Sequence, residues 1–407
     1  MVTAVSGGEA TSGDLMTVGI DTITGGADND VILGDHGVID QYRTNLPDDL
    51  RILTTGSIQK ASTVRPTDGA ADVITGGDGN NIILGGFGSD TITAGIGDDF
   101  VIGDSGEANY DSAGILTSAR TTDLDKGGDD DINAGLGGNV IFGGFGADTL
   151  TSTSAAGKRD ILVGDNGEVV LTNNIVTSFK STDLSEATGG IDTITGGNAN
   201  TYALGGAGAD QITTGSGNDT ILGDHAEVVY NADGSLNQAF SKLTTLGGND
   251  TIITGDGTNI VIAGFGADKV NDGVAGGSGF DIIFGDSGLA DAGSDGVLDD
   301  VHSISLTDGG DDILNAGAGG DVVFGGKGAD TITSNGAAGT RAILVGDNGE
   351  VLINSSNIVT SFKSTDLSEA TGGIDIITAG DSNTYALGGA GADQITTGSG
   401  NDTILGD

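Results

Sequence analysis

Aspartates recur along this chain at a spacing that could hold metal ions. Asp72 and Asp90 lie 18 residues apart, as do Asp130 and Asp148, Asp192 and Asp210, Asp250 and Asp268, Asp312 and Asp330, and Asp375 and Asp393. If 18 residues make one coil and coils stack as parallel strands, each pair brings two carboxylates to about 5 Å among glycine carbonyls. Uncompensated, such a pair repels and its protonation shifts upward, so the geometry asks for a cation. A hard ion taking about six to eight oxygen ligands, Ca²⁺, suits this donor set better than Mg²⁺, which dehydrates reluctantly and demands an octahedron. The opposite edge of such a coil is poorer, pairing Asn81 with Asp99, Thr201 with Asp219 and Thr384 with Asp402. There Asn139, Asn259 and Asp321 face lengthened turns, and weaker or absent calcium sites are expected, with Asn or Thr ladders in their place. A further set of acids follows glycine at the end of each block, Asp104, Asp165, Asp224, Asp286 and Asp347. They are expected to cap the Asp-rich column with one more ligand, against the alternative of satisfied turn residues.

The elements that must position these acids come from a repeat of nine. From Gly76 the chain reads GGDGNNIIL, then GGFGSDTIT from Gly85 and AGIGDDFVI from Ala94; GGFGADTLT from Gly143 and GGKGADTIT from Gly325 keep the frame. Places one to six are glycine-rich and acidic, fit for a tight turn with inward carbonyls. Places seven to nine alternate, as in Thr91-Ile92-Thr93, which reads as a three-residue strand with one side chain in and two out. Two nonamers make one coil, and Ile74, Ile83, Ile92 and Val101 point into a thin dry core. About twenty coils are expected, a rod about 100 Å long.

At this point the motif resembles the RTX (repeats-in-toxin) nonapeptide GGxGxDxUx, with U a large aliphatic residue. The resemblance implies an all-β fold, a right-handed parallel β-solenoid or β-roll stabilised by many calcium ions. It also implies a bacterial protein exported by a type I system. Folding and ion binding should then be one event, with a largely disordered chain before calcium.

Longer periods overlie the nonamer. Blocks of about four nonamers end at Gly-Asp and are followed by arms of about 20 to 30 residues. The arms read as β-hairpins, such as EVVLTNNIVTSF from Glu168, forming either a wider coil or a projecting flap. The first arm, Val38 to Thr67, holds both prolines, Pro47 and Pro66, and is expected to be the most flexible. Most of the few cations, including Arg43, Arg51, Arg65, Arg120, Lys180, Lys242 and Lys363, fall in or near arms. The residue after Gly-Asp cycles through His36, Ser105, Asn166, His225, Ser287 and Asn348, which defines a super-repeat of about 183 residues; Ile175 to Asp192 recurs letter for letter as Ile358 to Asp375. The expected organisation is one continuous solenoid, 1–224 and its near-duplicate 225–407, cut from a longer array. If three blocks complete a twist, every third arm would face the same way.

Composition narrows the function. In 407 residues there are 78 Gly, 59 Asp plus Glu against 14 Lys plus Arg, no Cys and no Trp, for a net charge of -45. Such a chain offers nucleic acid neither phosphate neutralisation nor a stacking platform, and it has no apolar run that would span a bilayer. The histidines, His36, His225 and His302, read as surface turn residues. Recurrence of the acid pairs in every block argues for structural ligands over a glycosidase pair, and no nucleophile elbow, zinc-protease or Walker motif is present. No catalytic residue is expected. Outward Thr-x-Thr pairs such as Thr22-Thr24, Thr149-Thr151 and Thr331-Thr333 leave ice binding as a minor alternative, although arms and Lys269 or Asn271 would interrupt the ranks. The favoured reading is a calcium-dependent extracellular rod, stalk or filament that self-associates or meets cell-surface partners. The runner-up is the secretion and folding segment of a larger toxin or hydrolase. Met1 to Ala10 shows no Sec signal.

Overall fold

The computed structural model describes residues 19–41 and 58–406, apart from Leu184, Glu186, Asp272, Asn357, Asp366, Leu367 and Glu369. Arg43, Pro47, Arg51 and Asp407 lie outside the described residues, so the expected flexibility of the first arm is not assessed. Among the described residues the regular structure is β-strand, with one 3-10 turn at Gly293–Asp295.

Successive nonamers alternate between two parallel sheets. Thr91–Ile96 belongs to the first, the outer sheet, and Phe100–Ile102 to the second, the middle sheet. Each sheet has 13 strands. In the outer sheet Ile92 pairs with Ile74 on one side and Ile132 on the other, although 18 residues separate the first pair and 40 the second. The arm between Ile102 and Asp131 is therefore spliced out of the roll without loss of register. Ile74, Ile83, Ile92, Val101, Ile132 and Ile141 are at most 1 % exposed and fill the space between the two sheets. Thirteen coils at about 4.8 Å make a rod about 60 Å long, shorter than the spacing of nonamers predicts, because each block gives part of its length to an arm.

The arms form a third layer. Each is a hairpin, as expected: Gly167–Thr172 pairs antiparallel with Ile175–Ser181, and the tip residues Asn173 and Asn174 have φ of 52° and 64°, the left-handed pair of a tight two-residue turn. The hairpins then join edge to edge, Glu168 pairing with Arg120 of the preceding arm and Lys180 with Glu227 of the next. The product is one antiparallel sheet of 12 strands. This corrects two expectations. The arms are neither a wider coil nor projecting flaps, and all described arms face the same side of the rod rather than every third one.

The reason lies in the middle sheet. Its strands are apolar at all three positions, as in Phe100-Val101-Ile102 and Val140-Ile141-Phe142. The central side chain points into the roll, so its two neighbours point away and would be left in water. Ala108, Ala119, Val169, Phe179, Val228 and Ala239 of the arm sheet cover them and create a second core. Phe142, Phe179, Phe284 and Phe324 are fully buried there, each worth about 1.5–3 kcal/mol. The expectation of a single thin core is corrected accordingly. Contact is close enough that a Cβ on Gly167 would collide with the Phe142 ring. The outer sheet stays uncovered, which suits its Thr-Ile-Thr strands. Its threonine ranks are not broken by arms, which lie on the other side; Val73, Asp131, Lys269 and Ile313 break them instead.

Candidate metal centre

The two edges of the roll, where the chain turns between the outer and middle sheets, carry the acids. At the first, the Asp edge, each acid directly precedes an outer-sheet strand. Place-one, place-two and place-four glycines of the nonamer make the turn for different reasons. Gly144 and Gly146 have φ of 124° and 125°, the left-handed region that favours glycine. Gly143 lacks a positive φ, but a Cβ there would collide with Asp148 Oδ2 and the Gly164 carbonyl oxygen.

The acids of this edge form one continuous ladder. The Asp72 N–H donates to Asp90 Oδ1 at 2.7 Å, Asp90 to Asp130 at 2.7 Å, Asp130 to Asp148 at 2.7 Å, and Asp148 to Asp192 at 2.7 Å. The chain of bonds goes on through Asp210, Asp250, Asp268, Asp312, Asp330 and Asp375 to Asp393. The six pairs expected from the sequence are thus links of a single file, which begins one coil earlier at Asp21. Linking pairs across the arms was invisible in the 18-residue period, since it needs the arms to leave and rejoin the roll in register.

Each carboxylate spends one oxygen on the ladder. The other, Oδ2, is buried and without a hydrogen-bond partner at all twelve acids from Asp72 to Asp393. Burying a charged oxygen with no partner costs several kcal/mol. The electrostatics register it. Burial raises Asp90 to about 7, helped by the charge of Asp72, and raises Asp192, Asp268 and Asp375 to about 7 as well. Burial pushes Asp130, Asp148, Asp210, Asp250 and Asp312 well above the carboxylate range, with neighbouring acids adding to it.

These orphaned oxygens converge with others. A Cβ on Gly164 would collide with Asp192 Oδ2 and the Gly205 carbonyl oxygen; on Gly205, with Asp210 Oδ2 and the Gly223 carbonyl; on Gly223, with Asp250 Oδ2 and the Ala263 carbonyl. Eleven of the twelve acids thus face a main-chain carbonyl across a bare glycine; at Asp268 the glycine's place is taken by Ala263. Among the described residues no three acidic or histidine side chains are placed to hold a metal ion by themselves, so a cation here draws its shell from carboxylates of neighbouring coils plus carbonyls. That is an all-oxygen set suited to Ca²⁺.

The second, mixed edge is built alike and filled differently. Asn81 N–H donates to Asp99 Oδ1 at 2.8 Å, Asp99 to Asn139 at 3.1 Å, and Thr384 to Asp402 at 3.0 Å. Here the ladder includes acids that the sequence reading left out. Asn139 donates to Asp160 at 2.9 Å and Asn259 to Asp281 at 2.8 Å, so the lengthened turns do supply a partner. The signal was present: Asp160 stands before Ile161-Leu162-Val163 as Asp99 stands before Phe100-Val101-Ile102. Asp321, by contrast, faces Ala342 in the next coil.

Along this edge hydrogen-bond donors occupy several of the cradles. Asn81 Nδ2 lies where a Cβ of Gly76 would be and donates to the carbonyls of Gly79 at 3.1 Å and Ala94 at 3.3 Å. Ser152 and Ser154 hydroxyls donate to the two oxygens of Asp160 at 2.8 and 3.0 Å, and Ser334 donates to Asp321 Oδ2 at 3.0 Å. Orphaned Oδ2 atoms remain at Asp99, Asp219 and Asp281. Burial raises Asp99 and Asp219 to about 6, and raises Asp281 to about 7 with the charge of Asp321 adding to it.

The Gly-Asp acids sit beside the Asp ladder with their oxygens committed. Asp104 accepts from Gly128 N–H at 3.0 Å and Phe145 N–H at 2.5 Å; Asp165 accepts from Gly190 at 3.3 Å and Ala207 at 2.5 Å. Asp224 and Asp286 repeat the clamp with Gly248 and Phe265, and with Gly310 and Lys327. Asp347 accepts from Ala390 N–H at 2.5 Å. They tie the returning arm to the next coil. The histidines need correction: His225 is 1 % exposed and buried behind its arm, and His302 lies within a strand, Asp300–Ser303, with Nδ1 3.1 Å from Asp300.

A family model for the RTX calcium-binding nonapeptide repeat (4 copies) matches residues 17–38, 67–107, 126–154, 186–221, 242–270, 306–340 and 369–404, more than half of the chain. The chain belongs to this RTX family. It is a calcium-binding repeat protein with a β-roll fold. No curated protein and no solved structure matches it. The matched segments lie mainly in the coils, and the unmatched ones hold most of the arms together with three middle-sheet strands, Arg159–Val163, Ile282–Phe284 and Arg341–Val345. Calcium in the cradles would neutralise the Asp file; the chain's own part is to hold the Oδ2 atoms and carbonyls in line, with a bare glycine beside all but Asp268.

Proposed function

We propose that this chain is an extracellular structural repeat of a bacterial surface or secreted protein, without catalytic activity of its own. It would be a rod that folds on meeting calcium and serves as stalk, fibre or filament. The observation that carries this reading is the unbroken file of twelve orphaned carboxylate oxygens along one edge. A chain of charge -45 holding that file has a strong electrostatic reason to stay unfolded until cations arrive. Sites built of shared carboxylates and carbonyls fit the weak end of calcium affinity, about 10⁻⁴ to 10⁻³ M, which is met outside cells. A regular rod lengthened by near-identical super-repeats suits a spacer.

The test is a calcium titration of metal-stripped protein followed by circular dichroism and sedimentation. A cooperative gain of β signal and a fall in frictional ratio at millimolar calcium are expected. A β signal indifferent to calcium would overturn the proposal.

A further inference from the structure

The outer face of the arm sheet differs from the rest of the surface. All four glutamates among the described residues, Glu107, Glu168, Glu227 and Glu350, point outward from it, and each is paired with a cation. Arg120 and Lys60 meet Glu107, Lys180 meets Glu168 at 2.9 Å, Lys242 meets Glu227 at 3.2 Å, and Lys363 meets Glu350 at 2.5 Å. In a chain of net charge -45 this row is locally balanced, with Asp291 and Asp300 as further acids in the row beside it. Cross-strand register sets its central row in the order Glu107, Arg120, Glu168, Lys180, Glu227, Phe240, Leu289, His302, Glu350, Lys363. Phe240 and Leu289, half-buried and outside the inner core, interrupt the charges at one place.

We propose that this face pairs with the same face of a second copy, the two rods antiparallel about a two-fold axis over Phe240 and Leu289. The inference deepens the reading of a self-associating structural rod and rests on it. The row reads as its own complement about that centre. Reversing it places Phe240 against Leu289, Glu227 against His302, Lys180 against Glu350, and Glu168 against Lys363. In the neighbouring row Gln238, which donates to Asp291 at 2.9 Å within the chain, meets the second copy's Asp291. A parallel pairing would instead set each charge against itself. Eight strands of this face span about 38 by 17 Å, or about 650 Å² a side, within reach of the smaller stable interfaces. An apolar centre ringed by complementary charge is the anatomy of such contacts. Antiparallel pairing would cross-link rods anchored at opposite ends.

Sedimentation velocity of the calcium-folded chain over a range of concentrations tests this. A reversible dimer is expected, weakened at least tenfold by Phe240→Glu. Lys180→Glu and Glu350→Lys should each weaken it, and the two together should restore it. Residues 180 and 350 lie five strands apart, about 24 Å, so rescue arises only between copies. Circular dichroism in calcium shows that each variant is folded. A folded chain that remains monomeric, a dimer indifferent to these variants, or a double variant without rescue would overturn the pairing and leave the calcium-dependent rod intact. Failure of the unaltered chain to fold with calcium would instead remove the rod on which the pairing rests.

Discussion

The two edges of the roll share one backbone plan and part in chemistry. Both run a ladder in which an N–H donates to the next coil's side-chain oxygen, unbroken at the Asp edge and interrupted at Ala342 on the mixed edge. At the Asp edge every rung is a carboxylate, so one donor per coil leaves one buried oxygen per coil unsatisfied. At the mixed edge Asn81, Asn139, Thr201 and Asn259 separate most of the acids, and serine hydroxyls serve Asp160 and Asp321, while Asp99, Asp219 and Asp281 each keep a buried Oδ2 unsatisfied. The first edge asks for an external cation at every acid, and the second carries donors of its own at Asp160 and Asp321. The same fold can therefore make its stability depend more on calcium along one side than along the other.

The largest test of that contrast is pH, because it acts on the whole file at once. The folded-state values of Asp90, Asp192, Asp268 and Asp375 are raised to about 7 and that of Asp330 to about 8, above an unfolded value of about 3.9. For groups raised in this direction the contribution to stability is present below the unfolded value and is lost as pH rises through the folded one. Metal-stripped protein should therefore gain β signal near pH 4 and lose it between pH 4 and 8. Equal disorder at both ends, read by circular dichroism, would contradict the assignment of the Asp edge.

Next in size is Gly164→Ala, whose methyl group enters the cradle at Asp192 Oδ2 and the Gly205 carbonyl. Loss of at least one calcium ion by calorimetric titration is expected, together with about 1–3 kcal/mol of overpacking. Gly157→Ala serves as the comparison: with φ of 89° and open space around it, it should show only local strain, about 1–2 kcal/mol, and full calcium stoichiometry.

A reciprocal exchange sharpens the contrast further. Asp148→Asn keeps an acceptor for the Asp130 N–H and adds an amide, so it should stabilise the metal-free form while removing the gain from a bound ion, about 3 kcal/mol at 100-fold excess over Kd. Asn81→Asp places a second carboxylate beside Asp99 and should do the reverse, adding calcium at the mixed edge. If stoichiometry moves in neither variant, the division between edges fails.

The smallest effect belongs to Ser152→Ala, which removes the hydroxyl donor to one oxygen of Asp160. A loss of about 1–3 kcal/mol in denaturant unfolding, with calcium binding unchanged, is expected. A change in stoichiometry would show that this part of the mixed edge already holds metal.

Much of this was legible in the residues because the nonamer is local. Glycine at fixed places, an acid at place six and an aliphatic at place eight dictate turn, rung and inward side chain within nine residues. That was enough for the β-roll, the inner core through Ile74, Ile83, Ile92 and Val101, the ladder acids two nonamers apart, and the poorer second edge. Asp160 and Asp281 escaped because the counting of nines breaks at inserted turns, whereas the strand that follows each of them keeps its place in the sheet.

What tertiary structure alone decided is how pieces distant in sequence meet. The fusion of Asp pairs into one file depends on arms that leave and return without disturbing register. The joining of six hairpins into one sheet depends on a middle sheet whose outward Phe100, Ile102 and Phe142 need a dry cover. The residues of the chain set each turn and strand by short-range sterics and hydrogen bonding. The third layer, the second core and the row of balanced charge outside it arise because burial of apolar surface is non-directional and acts between any faces that the stacked coils bring together.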